Sequence, residues 1–253
     1  TPRSSSAASD VYKRQEDGLS AEFVHAVVQD GRGYIWFGTQ DGLNRFDGHD
    51  IRVYKKSTDP GSLSNSFIWS LFVDPAGELW VGTNRGINKY DFATDTFDRD
   101  PLGLGERRSA RIRVITQDIG GTFWLGTVGQ GLLRVDPDGV LTEYVADPSV
   151  ATSLPNDSVI ALLEDPRRRL WIGTDGGGLA MFDRSTNAFV RYPHDPERAD
   201  SIGGDSIRAL HADPDGTLWI GTSRGGLTVI EGKTGRVRRH GNDPDAPFAL
   251  GTG

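Results

Sequence analysis

One short signal recurs five times along this chain: Trp36-Phe-Gly-Thr39, Trp80-Val-Gly-Thr83, Trp124-Leu-Gly-Thr127, Trp171-Ile-Gly-Thr174 and Trp219-Ile-Gly-Thr222. Its tryptophans stand 44, 44, 47 and 48 residues apart. Self-similarity at such a period demands an array of like supersecondary units, each too small to bury its own apolar face and therefore stacked on the next. The repetition also supplies an internal control. Residues constant from copy to copy serve the stacking, and residues that change at one place in the repeat are free to carry function.

Each copy reads as four short strands. An Asp lies six residues before every motif tryptophan: Asp30, Asp74, Asp118, Asp165 and Asp213. Ahead of it runs an apolar, β-branched stretch (Val24–Val28, Ile68–Val73, Ile112–Ile115, Val159–Leu163, Ile207–Leu210), as expected of an inner strand covered on both faces. Asp with Gly or Pro then makes a turn, as in Asp30-Gly-Arg-Gly33 and Asp213-Pro-Asp-Gly216. The Trp-x-Gly-Thr strand follows, then a glycine loop ending at Gly42, Gly86, Gly131, Gly178 or Gly226, then a third strand. A more polar fourth strand closes the copy: Ile51–Tyr54, Phe97–Arg99, Leu141–Tyr144, Phe189–Tyr192 and Val237–His240. Four antiparallel strands per 40–50 residues describe a β-propeller blade. The expected fold is therefore all-β, with five four-stranded blades over residues 16–240.

The flanks depart from the pattern. Residues 1–15 are rich in Ser and Ala, lack the apolar core of a secretory signal, and read as a non-native or disordered leader. Residues 241–253 carry Asp243-Pro244 and then Leu250, which repeats the connector leading to Leu63, Leu154 and Ile202. This stretch reads as a connector cut short before a sixth blade; a closed five-bladed ring with a loose tail is the alternative.

Composition removes several function classes. A net charge of -7 gives no basic footprint for nucleic acid. The absence of cysteine excludes disulfides and thiol catalysis. No run approaches the roughly 18 apolar residues that span a bilayer.

The pattern Asp-x-x-Gly-x-(Leu/Ile)-Trp-(Ile/Val/Phe)-Gly-Thr-x-x-Gly-(Leu/Ile)-Asn-(Arg/Lys)-(Phe/Tyr)-Asp, strongest in Leu19–Asp47 and Leu63–Asp91, resembles the two-component regulator propeller repeat. The third copy departs, with Gly103–Arg111 replacing the usual connector, and the fourth has Arg168 where the turn glycine belongs. The resemblance implies the extracytoplasmic sensor region of membrane histidine kinases, hybrid two-component proteins or diguanylate cyclases. It also implies a seven-bladed ring, of which five blades are present, a dimeric full-length receptor in the periplasm, and membrane attachment through segments outside this chain. Oligosaccharide ligands are implied on the same ground.

The repeated Trp, Asp, Gly and Thr are assigned to structure, since stacking units need constancy. The five histidines show no His-x-x-x-His pairing, and Asp213-Pro-Asp215-Gly216 lacks the alternating ligands of a calcium loop, so neither metal nor cofactor is expected. No catalytic constellation stands out. A secreted propeller enzyme of the streptogramin-lyase type and a protein-interaction scaffold are the alternatives to a sensor.

Two places vary where their surroundings do not. Five residues before each turn Asp stand His25, Trp69, Arg113, Ile160 and Arg208. In the loop after Trp-x-Gly-Thr stand Asp41, Arg85, Gly129, Gly176 and Arg224. Arginine offers a rigid fork of donors for carboxylate or sulfate, and tryptophan a flat face for a sugar ring. The expected ligand site is therefore His25, Trp69, Arg113 and Arg208 around the axis, with Arg85 and Arg224 at the rim, taking an oligosaccharide of acidic character.

Overall fold

The computed structural model describes residues 18–240. The leader over 1–15 and the connector over 241–253, Leu250 included, lie outside the described residues. Twenty strands pair into five four-stranded antiparallel sheets, one per repeat. The first sheet holds β1 (Val24–Gln29), β2 (Ile35–Thr39), β3 (Gly42–Phe46) and β4 (Ile51–Tyr54). The second holds β5 (Ile68–Val73), β6 (Leu79–Thr83), β7 (Gly86–Asp91) and β8 (Thr96–Asp98). The third holds β9 (Ile112–Gln117), β10 (Phe123–Thr127), β11 (Leu132–Val135) and β12 (Leu141–Tyr144). β13 (Val159–Glu164), β14 (Leu170–Thr174), β15 (Leu179–Asp183) and β16 (Ala188–Tyr192) make the fourth. β17 (Ile207–Ala212), β18 (Leu218–Thr222), β19 (Leu227–Ile230) and β20 (Val237–His240) make the fifth. Among the described residues no helix is long and apolar enough to cross a membrane.

The chain divides into two compact units. The first contains blades one and two and adds Gly105–Ser109; the second contains Leu102–Leu104 and blades three to five. Within each unit the core lies between consecutive blades. In the first, Trp36, Leu43 and Tyr54 of blade one pack with Leu63, Ile68 and Tyr90 of blade two. In the second, Trp124 and Leu132 pack with Leu154, Val159 and Phe182, and Trp171 and Leu179 with Ile202, Ile207 and Leu218.

The constant residues explain the stacking. The repeat Asp bonds its own turn and also accepts the indole N–H of the motif tryptophan. These bonds measure 2.8 Å for Asp30–Trp36, 2.9 for Asp74–Trp80, 3.0 for Asp118–Trp124, 2.9 for Asp165–Trp171 and 2.7 for Asp213–Trp219. That bond is the reason for the six-residue spacing, and it lets a buried indole keep a partner. The motif threonine donates to the carbonyl of the loop glycine, as in Thr39 to Gly42 at 3.0 Å and Thr127 to Gly131 at 2.7 Å.

The motif glycine exists for close approach. A Cβ on Gly38 would lie 2.6 Å from Cγ2 of Ile68, one on Gly126 2.7 Å from Cγ1 of Val159, and one on Gly173 2.7 Å from Cγ2 of Ile207. Ile68, Val159 and Ile207, which open β5, β13 and β17, thus seat on the bare glycine of the preceding blade. At the turn, Gly33, Gly77, Gly121 and Gly216 take φ between +83° and +91°, and Arg168 holds that left-handed place with φ +65°.

Two expectations need correction. β1 is not covered on both faces: Val24 is 39% exposed, whereas Ile68, Ile112, Val159 and Ile207 at the same place are 0% exposed. Val24 follows no described blade whose glycine could seat it. The fourth strands are polar only in part. Tyr54, Phe97, Tyr144 and Phe189 are buried, each carrying a ring into the core beside a motif tryptophan or its neighbours.

Candidate functional site

The variable positions gather because of one repeated backbone bond. The amide after the motif threonine donates to the carbonyl of the residue preceding the inner strand: Asn84 to Phe67 at 3.2 Å, Val128 to Arg111 at 3.1 Å, Asp175 to Ser158 at 2.9 Å and Ser223 to Ser206 at 3.0 Å. The start of each inner strand and the loop after Trp-x-Gly-Thr therefore meet at one end of the blade. The residues that meet there differ from blade to blade, and they form one cluster in each unit.

In the first unit the cluster is aromatic. His25 on β1 stacks on Phe67 with centroids 5.1 Å apart and lies 5.0 Å from Trp69 on β5. Phe67 and Trp69 are 4.5 Å apart. The Trp69 indole donates to Oδ1 of Asn84 at 2.7 Å, which fixes the plane of a half-buried ring. The product is a rigid, partly exposed aromatic surface with an amide at its edge.

In the second unit the cluster is ionic. Arg113 on β9 and Arg208 on β17 belong to the third and fifth blades, and Asp175 comes from the loop of the fourth. Arg208 Nη2 lies 3.3 Å from Oδ1 of Asp175. The Ser206 hydroxyl donates to the same oxygen in a short bond. Burial, and then the positive charge of Arg208, push the Arg113 guanidinium below its usual range, and Asp175 offsets part of the effect. Two guanidinium groups that feel each other, with one carboxylate held by Arg208, favour a further negative charge at the site.

A cleft of about 760 Å³ opens beside this cluster, lined by Asp175, His194, Asp205, Arg208 and Arg224 among others. Arg208 and Arg224 line the same cleft. Arg85 stands elsewhere, in a separate cavity of the first unit with Lys56 and Arg108. Among the described residues no three of His, Asp and Glu converge as metal ligands.

The sequence reading named six residues and passed over four that complete the clusters: Phe67, Asn84, Asp175 and Ser206. All four sit in variable columns of the repeat. Before the inner strand stand Phe23, Phe67, Arg111, Ser158 and Ser206; directly after the threonine stand Gln40, Asn84, Val128, Asp175 and Ser223. The loop column used in the reading lies one residue too late for blades two and four.

The two component regulator propeller repeat matches residues 18–41, 62–85, 153–176 and 201–224, which fall in blades one, two, four and five. A histidine kinase P4 from Formosa agariphila is 49% identical over 41 residues, 16% of this chain and 3% of the kinase. The extracellular domain of a protein assigned to the hybrid two component systems of B. thetaiotaomicron superposes with a TM-score of 0.68 at 22% identity, over 83% of this chain and 28% of that domain. Virginiamycin B lyase from Staphylococcus aureus superposes with a TM-score of 0.61 at 15% identity, over 89% of this chain and 71% of the lyase. Likeness at such low identity shows the propeller fold alone. Four blades of this chain thus carry the two component regulator propeller repeat, and the same sheet and the same Asp–Trp bond recur in all five.

Proposed function

We propose that this array is the ligand-sensing part of a periplasmic receptor of two-component or cyclic-di-GMP signalling, and that it takes an acidic oligosaccharide without chemical change. The observation that carries the reading is the Arg113–Asp175–Arg208 cluster. The aromatic surface of His25, Phe67 and Trp69 supports it, because a sugar ring presents C–H groups that pack on flat rings while its hydroxyls reach an amide such as Asn84. Arg224 at the edge of the cleft and Arg85 in the first unit add positive potential on an acidic chain, which draws anions in from a distance. In a dimeric receptor, capture of the ligand would shift how propellers dock and so bias the output domain. A ligand achieves this only through different affinities for the two arrangements.

The test is calorimetric titration with uronate-bearing, sulfated and neutral oligosaccharides at two salt concentrations. A hydrogen bond to a charged group contributes about 1.5–3 kcal/mol. Arg113→Ala with Arg208→Ala should therefore weaken an acidic ligand by on the order of a hundredfold or more. Unchanged affinity in the double variant, or a neutral best ligand without salt dependence, would defeat the proposal.

A further inference from the structure

The third connector departs from the pattern of the array, and the sensor reading gives that departure no task. Like the other connectors it has an Asp-Pro step, Asp100-Pro101, leading to a buried Leu104, but between that Leu and the inner strand residues Gly105–Ser109 form a 3-10 helix with the sequence Gly-Glu-Arg-Arg-Ser. This helix belongs to the first unit and contacts β7. A Cβ on Gly86 would lie 2.1 Å from the carbonyl oxygen of Arg108, so the helix backbone rests on the loop that carries Arg85. Gly86 also has φ +95°, which favours glycine there twice over.

The helix completes a cavity of about 390 Å³. Lys56, Arg85, Arg99 and Arg108 line it, with Asp100 as the lone carboxylate and the Ser109 hydroxyl beside them. Arg99 is committed to structure: it donates to the carbonyls of Ser62 and Asp59 at 2.8 and 2.6 Å. Arg191 and Arg239 make the matching bonds to Ser153 and Ser201 in later blades, so that role is general to the repeat. Lys56, Arg85 and Arg108 are different. They are exposed, and among the described residues none of the three forms an ion pair. Three like charges held around one small cavity repel each other, and a chain of net charge -7 has carboxylates to spare for pairing. A helix stapled into this connector that adds a further cation without an ion pair is the opposite of what folding alone requires.

We propose that Lys56, Arg85 and Arg108 form an anion site for a sulfate or phosphate group, distinct from the Arg113–Arg208 cluster. Arginine forks suit the several oxygens of a tetrahedral anion, and a lysine adds a mobile point charge. The site accepts either the free inorganic anion or the same group as a monoester.

The test uses the full chain and four probes: inorganic sulfate, inorganic phosphate, glucose 6-sulfate and glucose 6-phosphate. Arg85→Gln with Arg108→Gln should weaken binding at least tenfold, while Arg113→Gln with Arg208→Gln changes it less than twofold at this site. Preference for the esters over the ions, or the reverse, identifies the source. The nitrogen-15 resonances of Arg85 and Arg108 Nε in the unaltered chain should shift during titration, a readout that needs no variant to fold. Absence of those shifts at millimolar probe, binding retained by the Arg85/Arg108 double variant, or binding lost only with Arg113 and Arg208 overturns the proposal. The last result would leave the sensor reading standing, and loss of oligosaccharide binding with intact anion shifts would do the converse.

Discussion

The motif glycine permits a controlled experiment, because the same substitution can be made in a filled seat and in an open one. At Gly173 a new Cβ would meet Ile207 Cγ2 at 2.7 Å, Ile207 Cβ at 2.9 Å and Ala161 Cβ at 3.0 Å. The obstruction is the branch point of Ile207, so rotation of the side chain gives no escape. At Gly221 the nearest atom is Ala209 Cβ, at an ordinary 3.6 Å within the same blade. Neither glycine has the left-handed φ that would penalise alanine. Replacing a strand glycine by alanine regains roughly 0.5–1 kcal/mol of backbone entropy. Forcing a methyl into a packed contact costs about 1–3 kcal/mol. Gly221→Ala should therefore be neutral to slightly stabilising, and Gly173→Ala destabilising by roughly 1–2 kcal/mol. At about 2–4 °C per kcal/mol for a chain of this size, scanning calorimetry of the 253-residue chain should find the two variants roughly 3–10 °C apart. Equal destabilisation would show that the glycine serves backbone conformation, and that the seating of one blade on the next has been misread.

Three further outcomes follow from the same geometry. Arg168→Gly should raise stability by about 1 kcal/mol, since a non-glycine residue at φ +65° is strained, its pairing with Glu164 is long, and Glu164 keeps Arg184 as a closer partner; an unchanged or lower melting temperature would count against strain at that turn. Burial alone would raise the Asp118 carboxyl, but bonds from the Trp124 indole, Arg184 and the Thr122 amide outweigh it and hold the group below its usual range. Its stabilising contribution is thus present above the unfolded carboxylate value near 4 and fades as pH falls through the lower folded value. Melting temperature should drop below pH ~4, less steeply in Asp118→Asn; matching slopes would refute the assignment. Finally, Asp175→Asn removes the carboxylate that competes for Arg208 and Arg113, so acidic oligosaccharides should bind several-fold more tightly in calorimetry, and weaker binding would mean that Asp175 contacts the ligand itself.

The sequence by itself determined the blade. Five copies of one motif at near-constant spacing leave a single economical fold, and each strand lies within a residue or two of where its apolar run stands, because period-2 patterning and Asp-Gly turns are local signals. It also separated constant from variable positions, and Trp69, Arg113 and Arg208 came from that separation. Pairwise physics stayed hidden. The six-residue interval between Asp and Trp was visible, but only the folded turn aims that carboxylate at that indole. The constancy of the Trp-x-Gly-Thr glycine pointed to stacking, but only the folded chain shows it as a seat for the next blade's Ile or Val at Gly38, Gly126 and Gly173. Asp175 and Asn84 escaped because a loop residue's side chain is directed by the backbone bond to the preceding strand, a contact between segments 15 or more residues apart. Arg85 was grouped with Arg224 by alignment, yet the off-pattern helix over Gly105–Ser109 gives it different company. Repetition specifies what every blade must share. What each blade holds at its variable end depends on which side chains the neighbouring segments bring within reach, and that is decided in three dimensions.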